Sequence, residues 1–297
     1  NTNNNVFLGT NTGQSNSGTD NVFLGTNAGK QNGGASNVFL GNNAGSNSVT
    51  GNKNVFLGTN TGESNSGTNN VLLGTEAGFH NSGDANVLIG TEAGTQNSGS
   101  SNVFLGNNAG KNATTGDKNV FLGTNTGQSN SGTDNVFLGT DTGLVNTGSS
   151  NVFLGNNAGK NASSGSNNVF LGTNSGQSNS GANNVFLGTE AGMKNTGASN
   201  VFLGNNAGRD VMSGNNNVFL GTNTGQSNSG SDNVFIGTKA GQLNDSGSNN
   251  VYIGTQTGIS NVSGQSNVFL GFNAGELASS GNNNVFLGTL SGQSNSG

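Results

Sequence analysis

Apolar residues along the chain fall into one short block that returns every 16 or 17 positions, with polar residues and glycine filling the space between. The block is Val-Phe-Leu-Gly behind an opening asparagine, at Asn5, Asn21, Asn37, Asn54, Asn70 and onward to Asn284, eighteen times in all. The repeated phrase has no apolar i, i+3, i+4 pattern, and a 16-residue unit is too short for two helices and a turn. A β-branched and aromatic run closed by glycine reads as a strand, and "TNTG" or "TNAG" as a weaker extended piece. The remainder, "QSNSGTD", is turn chemistry: Gly, Asn, Ser and Asp accept φ > 0 or bond to their own backbone. The expectation is an all-β fold, a parallel β-solenoid of eighteen coils of 16–17 residues, forming one array over residues 1–297. Stacked at about 4.8 Å per coil, eighteen coils give a rod on the order of 85 Å long.

Strand alternation places Val and Leu on one face and the aromatic residue on the other. The expected coil interior is Val6, Leu8, Val22, Leu24, Val38 and Leu40 and their equivalents, with a small residue (Thr12, Ala28, Ala44) opposite. The outward row is then Phe7, Phe23, Phe39, Phe56, Phe104, Phe121, Phe137, Phe153, Phe170, Phe186, Phe202, Phe219, Phe235, Tyr252, Phe269 and Phe286, with Leu72 and Leu88 on the two other rungs. So long an apolar stripe exceeds what monomers expose, and burying it is worth tens of kcal/mol gross, at roughly 1.5–3 per side chain. The expectation is an oligomer interface along this ladder. The opposite assignment, with rings inside, leaves two exposed apolar rows in place of one. The opening asparagines (Asn5, Asn21, Asn37, Asn54, Asn70) form an expected amide ladder, as stacked strands allow. Gly9, Gly13 and their equivalents mark corners. The extra residue of the 17-residue coils, as in "KNATTGDK" at 111–118, falls in the loop, where it costs least.

Composition narrows the picture. Only 28% of residues are apolar and 7% charged, which by itself would suggest disorder, but the fixed register of the apolar residues argues for a stacked fold. A net charge of −5 and scattered cations (Lys30, Lys111, Lys160, Arg209) give no basic stripe for nucleic acid. The chain lacks cysteine, which leaves it indifferent to redox compartment. It carries neither a run long enough to span a membrane nor a visible signal peptide. Both ends are the repeat phrase itself, and the expectation is an internal segment of a longer array.

The phrase Asn21, Val22, Phe23, Leu24, Gly25 and, three residues on, Ala28 resembles the head repeat of trimeric autotransporter adhesins, the YadA-like β-roll, and similar repeats of tail-fibre-like proteins. The resemblance covers the whole chain. It implies a left-handed β-roll, three chains side by side, and an extracellular or cell-surface stalk, adhesive head or virion tail fibre.

Chemistry finds little footing. The one histidine, His80, lies in a loop, and a single His without Cys offers no zinc ligand set. Acids appear singly; Glu76 and Glu92 share a repeat position and read as two exposed acids on an edge. "GNNAGK" at 106–111 and 155–160 has three residues between its glycines and Asn after Lys, so it is not a phosphate loop. The sequons at Asn112 and Asn161 are expected by chance in so Asn-rich a chain. The expectation is no enzyme, no cofactor and no metal. The function expected is a structural extracellular fibre, stalk or adhesin head, its partner being itself as a homotrimer or end-to-end filament. Two alternatives remain. One is ice binding through rows of Thr10, Thr26, Thr59, Thr75, Thr91 and Thr124 beside Asn11, Asn27, Asn60 and Asn125. The other is an adhesive surface for a host glycan or protein, formed by variable loop residues Gln14, Lys30, Phe79, Leu144, Met193, Arg209 and Ile259.

Overall fold

The structure, a computed structural model, describes residues 3–211 and 213–295. Each repeat contributes one three-residue strand at the same position: β1 (Val6–Leu8), β2 (Val22–Leu24), β3 (Val38–Leu40), and so to β9 (Val136–Leu138), β10 (Val152–Leu154) and β18 (Val285–Leu287). The fold is an all-parallel β-solenoid of eighteen strands, with no helix among the described residues. The chain divides into two compact units, Asn1–Ser150 with β1 to β9 and Asn151–Gly297 with β10 to β18. Within each unit, like residues stack in register: Val22 on Val38, Phe23 on Phe39, Leu24 on Leu40 in the first, and Val169 on Val185, Phe170 on Phe186, Leu171 on Leu187 in the second.

The faces are the reverse of the expected ones. Phe23, Phe39, Phe56, Phe104, Phe121, Phe137, Phe153, Phe170, Phe186, Phe202, Phe219, Phe235, Tyr252 and Phe269 are fully buried inside their own chain. In the first and last coils Phe7 is 40% exposed and Phe286 half-buried, both pointing the same way as the rest. Val6 and Leu8 are exposed, and Val22, Leu24, Val38 and Leu40 half-buried, on the outer side of the strands. The Phe ladder is therefore core and not an interface between chains, and the Val and Leu rows are not the interior.

Two physical reasons decide this. Asn21 and Phe23 are two residues apart on an extended strand and so share a face. With Asn21 buried, Phe23 must follow it inward. The coil is also thin, with room for one large row. The ring of Phe23 lies flat over the α-carbon of Gly29, where an added Cβ would sit 2.2 Å from Cε2. Glycine holds that position, six residues after the ring, in all eighteen repeats. In-register stacking sets the ring spacing: centroids are 4.7 Å apart for Phe23–Phe39, 4.7 Å for Phe104–Phe121 and 4.8 Å for Phe186–Phe202, with planes within 7°. Such stacks add about 0.5–1.5 kcal/mol per pair beyond area burial. The expected small residue does line the interior, with Ala28, Ala44, Ala158 and Ala207 fully buried. Where it is threonine, the hydroxyl donates to a glycine carbonyl of the next coil, as from Thr224 to Gly237 at 2.7 Å and Thr257 to Gly271 at 2.6 Å.

Candidate functional site

Among the described residues no pocket forms, and no group of three His, Cys, Asp or Glu side chains is placed to hold a metal ion. The interior is occupied by polar ladders as well as rings. The expected asparagine ladder is present and deeper than a surface row: Asn21, Asn37, Asn54 and Asn70 are fully buried, with Asn5 half-buried in the first coil. Asn37 N–H donates to Asn21 Oδ1 at 2.8 Å, and Asn37 Nδ2 donates to Gly51 O at 2.9 Å. Each asparagine thus ties the preceding and following coils, and a buried amide is satisfied on both ends.

A second buried ladder went unforeseen. Asn32 Nδ2 donates to Asn16 Oδ1 at 2.9 Å and to Gly34 O at 2.7 Å, and Asn81–Asn65, Asn97–Asn81 and Asn195–Asn179 repeat the pattern. Its signal was in the sequence: every completed 16-residue coil carries Asn eleven positions after the opening Asn. Five of the seven 17-residue coils carry Ser48, Ala113, Ala162, Val211 or Ala278 there instead. The extra residue puts the accepting glycine three places on rather than two.

The corners take more left-handed backbone than glycine supplies. Asp20, Asn27 and Gln31, three non-glycine residues of successive corners, have φ of 59°, 55° and 61°. Asparagine tolerates this region best, and here the outer row is also bonded: Asn27 Nδ2 donates to Asn43 Oδ1 at 3.0 Å, and Asn43 Nδ2 to Asn60 Oδ1 at 2.9 Å.

The charged residues are surface clasps. Glu92 pairs with Lys111 one coil on, and Glu190 pairs with Arg209 at 3.4 Å across the same 19-residue step. Arg209 also meets Asp210, which contacts Lys194 at 3.0 Å. Burial pushes the Asp210 carboxyl up, but bonds from Lys194 and Arg209 outweigh it and hold the group below its usual range. "GNNAGK" at 106–111 is one corner plus the lysine of this clasp. His80 is exposed and lies against the Phe79 ring, centroids 4.2 Å apart.

What remains is the outward strand face. Val occupies its first position in all eighteen strands, and Leu or Ile its third. The next outward residue is Thr, Asn or, once, Phe272, exposed throughout. No charged residue falls on these three rows. Val55 at 41% and Leu57 at 46% exposure, and Leu270 at 41%, show how much aliphatic surface reaches solvent. In each unit the Val and Leu rows make a strip about 7 Å wide and about 40 Å tall, or roughly 280 Å² at ordinary strand spacings, close to the largest apolar patch a monomer exposes.

Comparison with protein-family models, with curated proteins and with solved structures finds no match. No helix among the described residues is long and apolar enough to cross a membrane.

Proposed function

We propose that the chain is a structural segment of an extracellular or cell-surface fibre, in which copies associate side by side through the outward Val and Leu rows. The observation that carries this reading is the constancy of those rows inside one chain. Eighteen tandem copies are eighteen chances to drift, and the loops have drifted freely, as have the corner acids and amides. Strand propensity favours Val, but Thr would serve it as well on a wet surface, and it does nothing to hold Leu or Ile at the third position. Water facing those rows gives no reason for aliphatic residues in every rung, whereas an apolar partner does.

A second copy is the partner that fits. Its rows recur at the same coil spacing, so every rung meets a rung, and a charge-free strip meets its like with no buried unpaired charge. The resemblance to YadA-like head repeats supports three chains around such a seam. The polar ladders support a mechanical role, because each coil is bonded to the next through side-chain amides as well as backbone.

Sedimentation equilibrium tests the reading. The wild-type chain is expected as an oligomer at micromolar concentration. Replacing Leu73, Ile89, Leu105 and Leu122 by Glu is expected to release monomers with an unchanged far-ultraviolet spectrum. A wild-type chain that stays monomeric overturns it. A second reading has its own observation: a row of exposed Thr residues runs along the coils just past the corner glycine, as an ice-binding surface would require. Thermal hysteresis of the monomer would favour that reading over the fibre.

A further inference from the structure

The corner eleven residues into each repeat runs its hydrogen bonds in opposite senses in the two units. In the first unit the amide of this corner residue donates to the preceding coil: Gln31 to Gln14 O at 2.8 Å, His80 to Glu63 O at 3.0 Å, Asn112 to Thr95 O at 2.8 Å. In the second unit the same amide donates to the following coil: Ser178 to Met193 O at 2.8 Å, Leu243 to Ile259 O at 2.9 Å, Leu277 to Gln293 O at 2.7 Å. The accepting carbonyl belongs in every case to the residue just before the corner residue. One peptide unit has therefore turned over, and its N–H and C=O have exchanged sides.

The backbone angle turns with it. Gln31, His80 and Asn112 have φ of 61°, 57° and 60°, and their equivalents in the second unit are not left-handed. A stack of such peptides has to agree. A single reversed rung would set its carbonyl against a neighbouring carbonyl and its N–H against a neighbouring N–H, and both bonds would be lost. The backward sense runs from Gln31 to Asn112; at Ser129 φ opens to 119°, and Val145 is not left-handed, so the sense is lost before the first unit ends.

The side chains limit the sense without fixing it, since Asn161, Ser178, Asp210 and Ser227, all small and polar, take the forward bond. In the first unit the left-handed corner residues are Ser, Gln, Asn and His, with no aliphatic among them. Leu243 and Leu277 stand at this position in the second unit, and Val145, in the last coil of the first, is likewise not left-handed. A left-handed φ is costliest for branched and bulky side chains, whereas small polar ones admit it.

We propose that this corner is a two-state hydrogen-bonded stack, switched together over a run of successive rungs, with an aliphatic side chain at the corner fixing the forward sense. Aliphatic residues impose the forward bond. Small polar residues permit the backward one.

Through-hydrogen-bond N–C′ couplings on the isotope-labelled chain read the sense directly. In the wild type, Gln96 N couples to Phe79 C′ and Ser178 N to Met193 C′. In a variant carrying Gln31→Val, His80→Val and Asn112→Val, the unsubstituted Gln96 is expected to move its coupling to Lys111 C′ together with the substituted rungs. If Gln96 keeps Phe79 while the substituted rungs change or lose their partners, the stack is not cooperative and the proposal fails. A glycine pair covers the case in which the triple variant does not fold. Gln96→Gly is expected to raise the melting temperature by relieving a left-handed residue, and Ser178→Gly to lower it. Equal shifts of one sign would overturn the assignment.

Discussion

The side-chain amide of Asn261 donates to the buried hydroxyl of Tyr252 at 2.5 Å, within one coil. Elsewhere in the second ladder that amide goes to the asparagine of the preceding coil, as Asn244 Nδ2 does to Asn228 Oδ1 at 2.7 Å. Asn261 has turned away, and Asn244 Oδ1 is buried without a partner. The chain's one tyrosine is thus accommodated by opening one rung of the ladder. Tyr252→Phe frees Asn261 to close that rung, so the expected change in stability is below about 1 kcal/mol, against the roughly 1–3 kcal/mol of an ordinary orphaned buried group. Asn261→Ala leaves the hydroxyl only Asn267 as a side-chain partner and is expected to cost about 1–2 kcal/mol. Denaturant midpoints of the two variants check the contrast.

Burial raises the pKa of Tyr252 well above the usual phenol range, and the bond from Asn261 only partly opposes the shift. A raised acid is neutral in the folded chain at a pH where the unfolded chain has ionised. The unfolded state then binds fewer protons, and stability falls as pH rises above about 10, by roughly 1.4 kcal/mol per unit at most from this group. The absorbance change of phenolate formation should coincide with unfolding rather than precede it, and Tyr252→Phe should flatten the alkaline limb.

The two amide ladders should differ in sensitivity. Asn86→Ala removes the acceptor of Asn102 N–H and the donor to Gly99 O, both buried. The expected cost is about 3 kcal/mol. Asn97→Ala, in the second ladder, removes bonds to Asn81 Oδ1 and Gly99 O, but Asn86 Nδ2 still donates to both. The expected cost is roughly 1 kcal/mol. Native-state hydrogen exchange of the flanking coils separates the two.

Ring and rim should separate stability from assembly. Phe121→Ala empties a fully buried site stacked 4.7 Å from Phe104 and 4.9 Å from Phe137. The expected loss is about 3–5 kcal/mol. Leu122→Gln, next to it on the outer face, should cost under about 1 kcal/mol in the monomer and weaken association in sedimentation.

The Glu92–Lys111 clasp is partly exposed, so Lys111→Ala is expected to change stability by less than about 1 kcal/mol and to leave its salt dependence nearly unaltered. Melting curves at low and high salt provide the check.

The repeat by itself determined the solenoid, a strand on Val-Phe-Leu, the in-register stacking, the small-residue row and the first asparagine ladder. Each follows from local periodicity: period two on Val-Phe-Leu, and a fixed step of 16 or 17 that puts Asn37 over Asn21. The second extended piece expected at "TNTG" is instead a turn, because the glycines on either side have positive φ. Which face of the strand is the core was decided by the tertiary structure, because alternation separates two faces without saying which is inside. What settled it was a cross-section with space for a single large ring, lying on Gly29 and sharing its face with buried Asn21. The second ladder, the diversion of Asn261 to Tyr252 and the reversed corner bonds likewise appear only once coils are stacked. Each depends on which atoms of two coils come within hydrogen-bond reach, and neither coil's sequence holds that information alone.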